Sequence, residues 1–162
     1  MKKEIPRMLR NASTVYAFDF FQTLIQQDST SIFNKIFGSR LLCNPQRLGI
    51  RWIIIASLPK IYYPFIKFLC LLRGLNPVEI ILSNEWFYVK DTKNFVLNTI
   101  MNISNGKFKL NYVNSNSIRR LRFISNNIEL VKYMNENIST LTNNILCQSV
   151  SDFWEQKFES VI

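Results

Sequence analysis

The chain has 162 residues, 48% of them apolar and 14% aromatic, enough to build one domain of ordinary size around a real core and too apolar for a disordered segment. Twenty basic against eleven acidic residues give a formal charge of +9, which favours an anionic partner such as a phosphorylated ligand, an acidic membrane surface or nucleic acid. There is no histidine, so Ser-His-Asp and Cys-His nucleophile systems and histidine zinc sites are excluded, and catalysis would fall to carboxylate, Lys, Tyr, Thr or Ser.

The amino-terminal "MKKEIPRMLRNAS" is charged and lacks the apolar core of a signal peptide, so the expected location is cytoplasmic, with membrane association as a variant of it. Residues 14 to 20, "TVYAFDF", are Val, aromatic and Ala around a single carboxylate, a composition and length that predict a buried strand with Asp19 near its carboxyl end. "DSTSIFNKIFGSRLL" reads as a helix that starts at the cap-rich cluster of Asp28 to Ser31.

The block "WIIIASLPKIYYPFIKFLCLL", residues 52 to 72, has to be weighed as a membrane span. Its eleven Ile, Leu and Phe residues contribute roughly −3 to −7 kcal/mol on an insertion scale, while a central Lys60 or Lys67 costs about 2.5 to 3.5 kcal/mol each. Pro59 and Pro64 interrupt a helix further, and the two lysines lie two helical turns apart with Ser57 nearby. A buried helical segment is the first expectation, a membrane-surface segment the second and a span the third. "NPVEIILSNEWFYVKDTKNFVLNTIMNI" reads as a helix begun by Asn76 and Pro77, and Ser104 to Ser117 as loop or a short hairpin.

In "SIRRLRFISNN" the spacing of Ile118, Leu121 and Ile124 predicts a helix capped by Ser117 and ending at Asn126 and Asn127, with "IELVKYM" as the following strand. The alternative is a strand that ends at Ser125. The basic run at Arg119, Arg120 and Arg122 reads as a solvated helix face, because no nucleic-acid recognition motif accompanies it; nucleic acid is not the expected partner. Asp152, before "FWEQKF", reads as a helix N-cap. Cys43, Cys70 and Cys147 are odd in number and widely spaced, which predicts neither a disulfide framework nor a metal site.

With these elements placed, "AFDFFQTLIQQDS" resembles the first motif of the haloacid dehalogenase superfamily, in which a strand ends in D-x-D-x-T. The apolar helical stretch after it is similar to the phosphoserine phosphatase-like branch. The resemblance implies an α/β fold with a partial Rossmann-like core: one domain over 1–162, a first strand and motif loop at 14–25, a helical cap over about 29–103, and the remaining core elements over about 117–162. It further implies that Asp19 is the nucleophile that forms an aspartyl-phosphate and a ligand of Mg²⁺, joined by the main-chain carbonyl of Phe21. Thr23 matches the hydroxyl that orders the loop, and Ser125 is the candidate for a hydroxyl that binds the phosphate.

Two departures follow from the same comparison. Phe21 stands where the phosphatase pattern has a second Asp that protonates the leaving alkoxide, and Gln22 replaces a small residue. The pattern also needs a Lys, for which Lys132 and Lys157 are available, and an acidic pair, for which Asp152 and Glu155 are available, yet none has a convincing context. The expectation is a haloacid dehalogenase-like hydrolase domain, incomplete or degenerate and weakly active or inactive, acting on a phosphorylated small molecule, with a weak Mg²⁺ site. The alternative expectation is a noncatalytic or regulatory protein built on that remnant at an anionic membrane surface.

Overall fold

A computed structural model describes residues 14–26, 40–50, 52–105, 120–138 and 145–159, the last five of these in backbone only. Its centre is β1 (Thr14–Phe18), five residues without a solvent-facing side chain. β1 is flanked on one side by β4 (Trp52–Ile55) and then β5 (Glu79–Ile81), and on the other by β6 (Arg120–Ile124) and then β7 (Ile145–Gln148). All four pairings are parallel. β1 is apolar on both faces because a central strand of a parallel sheet is covered on both sides, which also removes the polar/apolar alternation that would announce it. A separate ribbon pairs β2 (Ile25–Gln26) antiparallel with β3 (Arg40–Leu41).

Four helices complete a three-layer sandwich: α1 (Tyr63–Leu72), α2 (Thr92–Ser104), α3 (Ile128–Ile138) and α4 (Val150–Glu159). Tyr16, Phe18, Trp52 and Ile54 point to one face of the sheet, where Ile66 and Leu69 of α1 and Phe153 of α4 cover them. Val15, Ala17, Ile53 and Phe123 point to the other, under Val96 and Ile100 of α2 and Leu130 and Met134 of α3. The β4–α1–β5 and β6–α3–β7 units step outward in opposite directions, and right-handed crossovers then require α1 and α3 on opposite faces. The chain is therefore a mixed α/β, Rossmann-like protein, as expected.

Several expectations about elements are corrected. The block 52–72 is not one helix: β4 takes its first four residues, Lys60–Tyr62 form a 3₁₀ turn, and α1 begins with Pro64 in its first turn, where a missing N–H costs nothing. Among the described residues, no helix is long and apolar enough to cross a membrane. Asn76 and Pro77 do not start a helix, since β5 follows them, and α2 begins later at Asp91, whose Oδ1 accepts from the Asn94 N–H at 3.1 Å. The helical character expected over about 29–103 is thus broken by two strands of the main sheet.

The helix expected from Ser117 to Asn127 is also replaced, by strand β6, and "IELVKYM" is helix α3 rather than a strand. Arg120 and Arg122 consequently stand on a strand, on the Tyr16 side, instead of a helix face. Burial pushes the Tyr16 phenol upward and these two arginines oppose it. Asp152 lies within the first turn of α4, and the cap is Ser149, whose Oγ accepts from the Asp152 N–H at 3.2 Å. The expected helix over 28–42 and loop over 104–117 fall mostly outside the described residues. Cys43, Cys70 and Cys147 are free and buried, and burial raises their thiols to about 11, 12 and 12.

Candidate functional site

In open α/β sheets the ligand crevice lies beyond the carboxyl ends of the strands, where the chain switches its direction of travel across the sheet. Here β1 connects outward to β4 while β6 connects outward to β7, so the switch falls between β1 and β6. Asp19 is the first residue past β1 and Ser125 the first past β6. The Asp19 N–H still donates to the Ile124 carbonyl at 3.0 Å, which carries the ladder one residue further and fixes the Asp19 backbone against the neighbouring strand.

The side chains then meet. Ser125 Oγ donates to Asp19 Oδ2 at 3.0 Å, and Asp19 Oδ1 accepts from the Phe20 N–H at 2.9 Å. Ser125 Oγ itself accepts from the Asn127 N–H at 3.1 Å. Burial is the largest influence on Asp19 and raises its carboxyl from 3.8 to about 6, with the Phe20 and Ser125 hydrogen bonds pulling the other way. Among the described residues, no lysine or arginine acts on it. The carboxylate is desolvated and held by the Ser125 hydroxyl and the Phe20 amide.

The loop after Asp19 is a tight turn. Leu24 and Ile25 N–H groups both donate to the Phe20 carbonyl, and the Gln22 N–H donates to the Ile25 carbonyl. Gln22 sits at φ +64°, a left-handed conformation that costs a residue with a Cβ roughly 1–2 kcal/mol and explains why a small residue would be at home there. The strained turn is clamped from β6: Asn126 Nδ2 donates to the Gln22 carbonyl and the Asn126 N–H donates to Thr23 Oγ1, both at 3.0 Å. Thr23 is fully buried. Phe21 is half-buried, stacked edge-to-face on Phe20 with ring centroids 4.9 Å apart.

Asp19, Thr23 and Ser125 are therefore brought together, with Phe21 on the same turn. Lys132 is instead exposed on α3 and Asp152 exposed on α4, while the side chains of Glu155 and Lys157 lie outside the described residues. Sequence reasoning missed Asn126, taking it for a helix end; the polar S-N-N after an apolar run was the available signal, and it marks the β6–α3 loop, where Asn127 Oδ1 caps α3 by accepting from the Leu130 N–H. It also passed over Ser57, just beyond β4 on the opposite flank of β1. Among the described residues, no group of three or more Cys, Asp or Glu could hold a metal ion.

Replacing the fully buried Ser125 by Ala removes a donor from Asp19 and an acceptor from the Asn127 N–H. The expected cost is about 1–3 kcal/mol in urea unfolding, with the Asp19 carboxyl, followed by NMR titration, moving up from about 6. An unchanged or lowered value would mean that the hydroxyl does not favour the ionised form.

The fold and site define an α/β protein with a desolvated carboxylate at the switch point of a parallel sheet. No family model, curated protein or solved structure matches the chain.

Proposed function

We propose that this chain carries a degenerate phosphohydrolase-type site of the haloacid dehalogenase kind, in which Asp19 keeps the nucleophile's position but the groups that complete turnover are missing. The observation that carries the reading is the Ser125–Asp19 hydrogen bond at the carboxyl end of the central strand, with Thr23 anchoring the turn that follows. With its carboxyl at about 6, Asp19 is mostly ionised at pH 7 and able to attack phosphorus, forming an aspartyl-phosphate as the ester oxygen leaves. Ser125 would have to turn its O–H from Asp19 to reach a phosphate oxygen, and Ser57 lies just beyond β4 on the other flank of β1.

The deficits are chemical. Phe21 has no proton for a leaving alkoxide, and general acid catalysis is worth about 10²- to 10⁴-fold. Beside Asp19, the β6 terminus offers Ser125, Asn126 and Asn127 where a second carboxylate would be needed to complete a metal site. One carboxylate with amides, a hydroxyl and the Phe21 carbonyl fits Mg²⁺ poorly, because the ion demands near-octahedral oxygen ligands and gives up water reluctantly. Among the described residues no cation stands beside Asp19, and a preorganised charge there is worth about 10²- to 10³-fold.

The test is hydrolysis by the purified chain with Mg²⁺ present, read against Asp19→Asn. Alkyl phosphates are expected to turn over no faster than with the variant, and aryl or acyl phosphates, whose leaving groups need no acid, only marginally faster. Calorimetry should show weak Mg²⁺ binding. Clear Mg²⁺-dependent turnover of an alkyl phosphate that disappears in Asp19→Asn would replace the degenerate site with a working phosphatase.

A further inference from the structure

The surface formed by α1 and the loop after β5 is apolar where water-facing surface is normally polar. Six residues of α1 face outward, Tyr63, Pro64, Lys67, Phe68, Leu71 and Leu72, and of these only Lys67 is charged. Leu71 is 79% exposed. The loop beyond β5 adds Trp86, Phe87 and Tyr88, of which Phe87 is 78% exposed.

The two segments form one surface. The Lys60 N–H donates to the Glu85 carbonyl at 2.7 Å and the Ile61 N–H to the Trp86 carbonyl at 3.3 Å, while Lys60 Nζ lies 4.8 Å from the centre of the Trp86 ring. A depression of about 570 Å³ lies between Tyr63, Pro64 and Trp86, and a second of about 530 Å³ continues from Tyr63 along Phe68 and Leu71 to Val78. Contiguous exposed apolar surface of this kind marks an interaction site.

The charge of the whole chain decides the partner. Lys60 and Lys67 line the two depressions, Lys90 follows the aromatic loop in sequence, and the chain carries +9. The carboxylates of the same region are Glu79, which lines both depressions, Glu85, which accepts from the Lys90 N–H, and Asp91, which caps α2. Packing this face against a second copy would bring together two molecules that each carry +9. An anionic bilayer instead offers headgroup phosphates to the lysines and an interface that Trp and Tyr rings favour. α1 has ten residues, about 15 Å, a length suited to lying in the interface plane.

We propose that this face docks on an anionic lipid bilayer, with Leu71, Phe87 and Trp86 entering the headgroup region and Lys60, Lys67 and Lys90 meeting lipid phosphates. The proposal is independent of chemistry at Asp19, and Asp19→Asn should bind vesicles like the parent chain.

The experiment is flotation of the full chain with vesicles of phosphatidylcholine alone or with roughly one-third phosphatidylglycerol, at low and high salt. Co-flotation is expected with the anionic vesicles only, falling with salt. Lys60→Ala and Lys67→Ala should each weaken it about fivefold, and Leu71→Ser combined with Phe87→Ser should abolish it. Brominated lipid should quench Trp86 fluorescence, and Trp86→Phe should lose the quenching while still floating. All these positions are exposed, so the variants keep the core, which circular dichroism verifies. Absence of flotation, equal flotation with neutral vesicles, or flotation that survives Leu71→Ser with Phe87→Ser would overturn the proposal. So would a dimer in sedimentation, dissociated by the same substitutions, which would give the face to a second copy.

Discussion

Asp19→Asn is expected to stabilise the folded chain at pH 7 by about 2 kcal/mol. The carboxyl lies at about 6 in the folded protein against an ordinary 3.8, and the principal cause is burial. At about 1.36 kcal/mol per pH unit the displacement corresponds to roughly 3 kcal/mol, reduced here because Asp19 retains some exposure to water. The sign follows from proton counts. Between 3.8 and about 6 the native state holds a proton that the unfolded chain has lost, so stability falls as pH rises through that window. Above it both states are ionised and the full cost of burying the charge is present; below it both are protonated and the cost vanishes. Asn removes the charge, and its amide can still meet Ser125 and the Phe20 N–H. Urea unfolding across the window should therefore show a downward slope in the parent that is absent from the variant. A less stable Asn variant at pH 7 would mean that Asp19 is held by a charge partner, and the picture of an uncompensated carboxylate would be wrong.

The largest loss of stability is expected from Phe18→Ala. Phe18 is fully buried one residue before Asp19, and its ring meets Trp52 and Phe153 edge-to-face, each with centroids 5.8 Å apart. It joins β1 to β4 and to α4 in one aromatic cluster. Truncating a buried Phe costs about 3–5 kcal/mol, and each aromatic pair about 0.5–1.5 kcal/mol beyond its buried area, so much of the stability of a small domain is at stake. Chemical denaturation gives the value, and the variant should also release Asp19 toward its ordinary titration range as the strand end loosens. A cost below about 1 kcal/mol would show that α4 does not rest on β1 through this ring.

The first strand and its carboxylate were legible because "TVYAFDF" combines β-favouring residues with one charge that has no reason to lie in a core. The turn after it was legible in part: Thr23 in the motif pattern pointed to an ordering hydroxyl, and the small residue that Gln22 replaces would suit the left-handed conformation that Gln22 adopts. Local chemistry of this kind depends on neighbours in sequence, and sequence carries it.

The other strands of the sheet were not legible, apart from the alternative of a strand ending at Ser125, which β6 realises. Periodicity reports which face of an element meets water, and β4 is buried at all four positions, so its signal is lost, while β6 shows a wet face only at its start, where Arg120 is exposed and Arg122 half-buried. β4 merged with α1 into one apolar block, and Ile118, Leu121 and Ile124 fell by chance on a helical spacing although the last two lie on opposite faces of β6. Ser125 and Asn126 acquired their places only through the pairing of β6 with β1, which brings residues more than a hundred positions apart into hydrogen-bonding distance. The sequence determined by itself that a carboxylate ends a buried strand. Which hydroxyl holds that carboxylate and which amide clamps its turn were decided by strand order, because parallel pairing sets two strand ends side by side whatever the length of chain between them.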